Sequence, residues 1–184
     1  MKIAFFSTKP YDRKYFSLAN DEFGHEITYF ETRLTRQTLK LAEGYDCACV
    51  FVNDQVDASV LIALAAQGTR LIALRCAGFN NVDVNSAKEL GISVVRVPAY
   101  SPYAVAEHTV GLMLALNRKV YWANSRVKEG NFSLDGLLGF DMRGRTVGLV
   151  GTGKIGECVA SILNGFGCNI IAYDQRRNSV CEEQ

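Results

Sequence analysis

The sequence has no excess of charge of either sign. Its 184 residues carry 20 Lys and Arg against 19 Asp and Glu, a formal net charge of +1. That balance gives no field to draw the chain to nucleic acid or to an anionic membrane. Histidine is scarce, with only His25 and His108, and none of the six cysteines (Cys47, Cys49, Cys76, Cys158, Cys168, Cys181) forms a C-x-x-C pair. No zinc site is expected from such a set. The longest apolar stretch, from Tyr103 towards Ala123, is interrupted by Glu107, His108, Asn117, Arg118 and Lys119. It falls short of the roughly 18 uncharged residues that a membrane span needs. Met1–Phe6 has one cation and too short an apolar run for a signal peptide, so it is expected to be a first buried strand. No internal repeat or low-complexity segment is present. The remainder is ordinary, 48% apolar and 21% charged. This is the composition of a globular small-molecule enzyme or binding module, expected in the cytoplasm with its thiols reduced. Cys47 and Cys49 alternate with apolar neighbours and are expected to pack as small hydrophobes.

Up to about residue 100, short apolar runs alternate with helical patterns. Strands are predicted at Lys2–Ser7, Glu26–Phe30, Asp46–Val52, Arg70–Leu74 and Ile92–Val95. Helical stretches are predicted at Asp12–Phe23, Thr35–Ala42, Ala58–Gln67 and Val84–Leu90. Apolar residues in succession mark parallel strands buried on both faces. Alternation of strand and helix predicts right-handed crossovers and an α/β parallel sheet. Val97–Pro102 breaks the pattern: Pro98 drives its predecessor out of the helical region, and Ser101 can cap a helix that begins at Pro102. One long helix is predicted from there to about Val127. Its polar pairs Glu107/His108 and Arg118/Lys119, eleven residues apart, would share a stripe. A helix otherwise so apolar is expected between domains or subunits, the alternative being full burial within a single monomer. After a glycine-rich loop, Gly130–Gly144, a second α/β unit is predicted: strand Thr146–Val150, helix Lys154–Phe166 and strand Cys168–Tyr173. Gln175–Gln184 has no clear period and is expected to be a loose tail.

The sharpest motif is Gly151-Thr152-Gly153-Lys154-Ile155-Gly156, directly after the strand Val147-Gly148-Leu149-Val150. In such a triplet the first glycine allows the tight turn, the second lets a diphosphate approach the backbone, and the third lets helix pack closely on strand. Phosphates would meet the exposed N–H groups and positive end of the following helix. Asp174 lies eighteen residues past Gly156, near the roughly 20-residue spacing of a ribose ligand. A carboxylate there favours NAD over NADP, although Arg176 and Arg177 nearby would suit a 2′-phosphate. A second constellation, Leu74-Arg75-Cys76-Ala77-Gly78-Phe79-Asn80-Asn81-Val82-Asp83, falls at the carboxyl end of a strand, where open α/β sheets bind ligands. Ala77 and Gly78 leave their N–H groups approachable by a carboxylate, and Arg75 would add positive field. A plain strand-to-helix turn capped by Asn81 or Asp83 explains the same residues equally well.

These stretches, with Phe51-Val52-Asn53-Asp54 and Val94-Val95-Arg96-Val97-Pro98-Ala99-Tyr100-Ser101-Pro102, closely resemble the D-isomer-specific 2-hydroxyacid dehydrogenases. The resemblance runs from Met1 to about Asp174, and the wording around Cys76–Phe79 and at Tyr100 is nearest to the fermentative D-lactate branch. It implies a flavodoxin-like parallel-sheet substrate domain in residues 1–100. The first βαβ unit of a Rossmann NAD-binding domain would follow in 101–184, with the helix after Pro102 at a homodimer interface. It also implies that the Ala77–Gly78 turn holds the carboxylate of pyruvate or D-lactate through backbone N–H groups, with Tyr100 lining the same cleft, and that Lys154, Ile155 and Asp174 contact NAD. In the family the arginine, glutamate and histidine of catalysis lie further downstream. Residues 1–184 are therefore expected to be a truncated form without them, inactive alone. His108, beside Glu107, is expected at an interface rather than in the chemistry, and His25 at the surface. A competing expectation is a non-catalytic member that binds NAD and dimerises, as the family's C-terminal binding corepressors do.

Overall fold

The structure is a computed structural model that describes residues 1–182. Internal packing divides it into two compact units, Met1–Tyr100 and the residues from Ser101 onward.

In the first unit, strands β1 (Lys2–Phe5), β2 (Glu26–Tyr29), β3 (Cys47–Val50), β4 (Leu71–Leu74) and β5 (Ser93–Arg96) form one sheet. All pairs are parallel, in the order β2-β1-β3-β4-β5. This is the flavodoxin-like order. Helices α1 (Pro10–Asn20), α2 (Ala58–Ala66) and α3 (Val84–Glu89) make the crossovers. β3 is central and buried at every residue, which is why its sequence reads as a continuous apolar run. Burial pushes the Cys47 and Cys49 thiols up to about 11 and about 12, so both pack as neutral apolar groups. The core gathers Ala4, Phe6, Val50, Leu61, Leu64 and Ile72 around the sheet. Asp57 and Asp83 start α2 and α3 by accepting the N–H groups of Val60 and Ser86.

The carboxyl edge of this sheet is organised by a buried acid. Asp54 Oδ1 accepts the Ser7 hydroxyl at 2.7 Å and the Leu34 N–H at 2.9 Å, and Oδ2 accepts the Phe51 N–H. Asn81 joins the same knot by donating to the Phe51 and Asp54 carbonyls. Ser7 sits at φ 52°, a left-handed conformation that costs a serine about 1 kcal/mol or more. It is held there from three sides, by Asp54, by Thr32 O accepting its N–H, and by Arg75 donating to its carbonyl.

Two helical expectations change here. The predicted helix over Thr35–Ala42 shrinks to one 3-10 turn, Leu39–Ala42. Thr38 Oγ1 donates to Arg33 O and accepts the Thr35 N–H, so side chains take the bonds a helix would need. Helix α1 starts two residues earlier than predicted, at Pro10, because Asp12 serves as its capping residue, accepting the Lys9 N–H at 2.8 Å.

In the second unit, α4 (Pro102–Asn117) and α6 (Lys154–Gly165) pack on each other. α6 also covers one face of a parallel pair, β6 (Thr146–Val150) and β7 (Asn169–Tyr173). Ala106, Val110, Met142, Val159, Leu163 and Cys168 form its core. The single long helix predicted to Val127 is in fact two. α4 ends at Asn117, Lys119 turns to φ 50°, and α5 (Val120–Lys128) starts afresh. The returning loop causes the break: Asn117 exchanges two hydrogen bonds with the Phe140 backbone, and Lys119 Nζ donates to Gly136 O. The stripe joining Glu107/His108 to Arg118/Lys119 therefore does not exist as one helical face. β6 alternates between exposed and half-buried residues, and no residue of β6 or β7 is fully buried. Val150, Ile171 and Tyr173 are 86%, 67% and 67% exposed.

The expected loose tail is ordered as far as it is described. Ser179–Glu182 forms a short helix, α7, and Asn178 donates to Thr152 O and to Glu157 at 2.8 Å. Its last two residues, Glu183 and Gln184, lie outside the described residues. No described helix is long and apolar enough to cross a membrane.

Asp54→Ala leaves three donors facing a hole, each unpaired donor costing about 1–3 kcal/mol. Urea unfolding of the chain is expected to show a loss of roughly 3–5 kcal/mol. Asp54→Asn should lose less, since its amide oxygen still serves Ser7 and Leu34 while its NH2 opposes only Phe51.

Candidate functional site

Residues Gly151–Gly156 join β6 to α6. Gly151 stands at φ 98°, open to glycine and hardly to any other residue. A Cβ on Gly156 would lie 2.2 Å from the Gly151 carbonyl oxygen, so the helix meets the turn at backbone contact. Gly153 differs from both. Its φ of −68° and ψ of −176° suit any residue, and a Cβ there would meet nothing within 4 Å. The fold thus requires two glycines of the triplet and leaves open space over the third. Gly153 is also the N-cap of α6, and no side chain among the described residues caps that helix. Its first-turn N–H groups are left to an acceptor from outside. The site therefore has the room and the donors that a diphosphate would use.

Asp174 follows β7 directly. Its Oδ2 accepts the Thr152 N–H at 2.6 Å and its Oδ1 accepts the Arg176 N–H at 3.0 Å. These bonds, the Thr152 one above all, hold its carboxyl below the usual carboxylate range. Each oxygen keeps a further lone pair for a hydroxyl donor. Asp174 lines a hollow of about 300 Å³ together with Thr152, Gly153, Arg176, Arg177 and Asn178. Thr152 is buried, Ile155 is exposed on the first turn of α6, and Lys154 pairs with Glu157 at 3.0 Å. Asn178, and then Lys154, hold the Glu157 carboxyl low. Asn178 therefore ties the segment after β7 to both the glycine turn and the helix, a role that its setting in a polar, aperiodic stretch did not signal.

In the first unit, Arg75, Ala77 and Gly78 follow β4. Gly78 is exposed, Ala77 half-buried and Tyr100 62% exposed. Arg75 is turned into the protein, with a side chain only 8% exposed. Its guanidinium donates to Ser7 O at 2.7 Å, pairs with Asp12 at 3.4 Å and lies 4.5 and 4.9 Å from the ring centres of Phe5 and Phe51. It braces the β1 turn from behind and does not project at Ala77 and Gly78. The guanidinium at that turn belongs to Arg96, which donates to Ala77 O at 2.8 Å and to Pro98 O at 3.3 Å. Arg96 lies in the Val94–Pro102 stretch, and only the register of β5 on β4, opposite Leu74, brings it there. His108 is exposed on α4, and His25 is fastened by two backbone bonds to Asn20.

A family model described as D-isomer specific 2-hydroxyacid dehydrogenase, catalytic domain, matches residues 3–180. A 2-hydroxyacid dehydrogenase homolog of Haemophilus influenzae is 58% identical over 183 residues, covering 100% of this chain and 55% of that protein. The apo-structure of D-lactate dehydrogenase from Escherichia coli superposes with a TM-score of 0.93 at 51% identity, covering 100% of this chain and 58% of that one. The NAD-complexed form of a D-isomer specific 2-hydroxyacid dehydrogenase from Lactobacillus delbrueckii ssp. bulgaricus gives 0.74 at 32% identity, with 100% and 56% covered. The chain spans little more than half the length of these relatives.

The two glycines at the ends of α6's first turn should respond oppositely to the same methyl group. Gly153→Ala is expected to leave thermal stability unchanged to within about 0.5 kcal/mol. Gly156→Ala must push the helix off Gly151 and should cost about 2 kcal/mol or more, read as a fall in the melting temperature of the second unit.

Proposed function

The chain belongs to the D-isomer specific 2-hydroxyacid dehydrogenase family, and from that membership we propose that a protein carrying it is an NAD-dependent D-lactate dehydrogenase, interconverting pyruvate and D-lactate. The observation that carries the cofactor half of this reading is the open space over Gly153, at an uncapped helix start, with Asp174 alongside. NAD, when bound, supplies the oxidation or reduction by accepting or giving a hydride. The chain's residues supply the grip. The amides of Gly153, Lys154 and Ile155 and the positive end of α6 receive the diphosphate, and Asp174 accepts the adenosine ribose hydroxyls. The same carboxylate repels a 2′-phosphate, which favours NAD over NADP. Arg177, one of the two cations that would suit that phosphate, is taken up by Glu182 at 2.7 Å.

For the substrate we assign the Ala77 and Gly78 N–H groups to the carboxylate of pyruvate or D-lactate, with Tyr100 beside them. Arg75 acts from within, by holding the β1 turn. The reading keeps a single-carboxylate, unphosphorylated substrate, because Arg96 is the one guanidinium bonded at this turn among the described residues. Ketone reduction also needs a proton donor. We assign that role to neither His25 nor His108, so residues 1–184 taken alone should bind cofactor without turning it over. The protein is proposed to act in the cytoplasm as a homodimer. The apolar residues exposed on α4 and α5, Leu112, Leu116, Tyr121 and Trp122, support a subunit interface.

NADH fluorescence with the 184-residue chain tests the grip. Binding is expected, and Asp174→Ala and Gly153→Ala should each weaken it by about tenfold or more. No pyruvate-dependent NADH oxidation is expected from the chain alone; measurable turnover would overturn the assignment of proton transfer. A full-length relative carrying these residues that binds NADH yet reduces no 2-oxo acid would favour the non-catalytic, NAD-binding reading.

A further inference from the structure

The Arg75 guanidinium is turned into the first unit, so the turn at Ala77–Gly78 takes its shape from elsewhere. Arg96 ends β5 and stands opposite Leu74 in register, which brings its side chain alongside the residues that follow β4. Its Nη1 reaches the carbonyls of Ala77 and Pro98, and its guanidinium carbon lies 5.4 Å from the Phe79 ring centre. The peptide joining Ala77 to Gly78 is planar and trans, so its C=O and N–H point in opposite directions. A carbonyl drawn to Arg96 therefore sends the Gly78 N–H the other way. The next peptide is fixed likewise, because the buried Cys76 thiol donates to Gly78 O at 3.3 Å. Among the described residues neither the Ala77 nor the Gly78 N–H donates to a protein acceptor. Pro98, the second anchor, is two residues from Tyr100, so the same side chain links the two segments assigned to the substrate carboxylate.

We propose that Arg96 is the positioning residue of the carboxylate-binding turn, aiming the Gly78 N–H by holding the Ala77 carbonyl and tying that turn to the segment that carries Tyr100. The inference rests on the reading of Ala77–Gly78 given above. Lysine cannot replace it fully, since a compact ammonium on a flexible stem lacks the flat face towards Phe79.

The test is a pyruvate titration of the ¹⁵N-labelled 184-residue chain, with and without NADH, following the Ala77 and Gly78 amide signals. The unaltered chain should show saturable shifts at both. Arg96→Met should raise the apparent Kd by about tenfold or more, and Arg96→Lys by less. In the ligand-free Arg96→Met chain, fast motion of the Gly78 amide should increase while the signals of the β-sheet stay in place. Equal Kd in Arg96→Met and the unaltered chain would overturn the positioning role and leave the turn's assignment standing. No shift at either amide in the unaltered chain would overturn that assignment and this inference together. Loss of the folded spectrum in both variants would make Arg96 a residue of the fold and would also overturn it.

Discussion

Asp54 is a charge held out of water, and the carboxyl edge of the first sheet is built around keeping it satisfied. Its carboxylate draws the ends of β1 and β3 and the backbone of Leu34 to one point. Burying a carboxylate is tolerable only with several donors aimed at it, so three loops are fixed by a single constraint. In this strand order the switch point between β1 and β3 is where doubly wound sheets ordinarily receive a ligand. Here that place is taken by Ser7, Asp54, Asp12 and the Arg75 guanidinium between two aromatic rings. The edge left with exposed backbone is one strand over, at Gly78 beside β5. The same packing that stabilises the fold thus shifts the available edge sideways.

The second unit follows a different logic, in which what is missing from a side chain decides. Two glycines of the triplet answer to the chain itself, one through a positive φ and one through a contact at backbone distance. Among the described residues the third meets nothing that requires a glycine, and the space over it is open. Asp174 belongs to both worlds: it closes the turn through Thr152 and still faces the hollow.

Much of this was legible in the sequence because it depends on local pattern. Apolar runs place all seven strands to within about two residues, a scatter usual for element ends, and the glycine triplet lies where its flanking strand and helix put it. The misreadings share a cause, namely side-chain partners that apolar periodicity does not record, most of them distant in sequence. The break at Lys119 depends on a loop that returns 17 to 23 residues later. Thr35 and Thr38 divert their own backbone. Asn178 is polar and unpatterned, and its bond to Thr152 spans 26 residues. Most instructive is the exchange of arginines. Proximity in sequence favours Arg75 as the cation of the Ala77–Gly78 turn, whereas strand register delivers Arg96 and turns Arg75 inward.

Parallel strands almost always have both faces covered, and among the described residues the β6–β7 pair has one. Its uncovered side presents Val150, Ile171 and Tyr173 in a row beside an unpaired backbone edge. In the isolated 184 residues that row is expected to lower solubility, because apolar strand faces of this kind seed intermolecular stacking. Dilute samples, low temperature and avoidance of sulfate or phosphate, which strengthen apolar association, follow directly from the geometry.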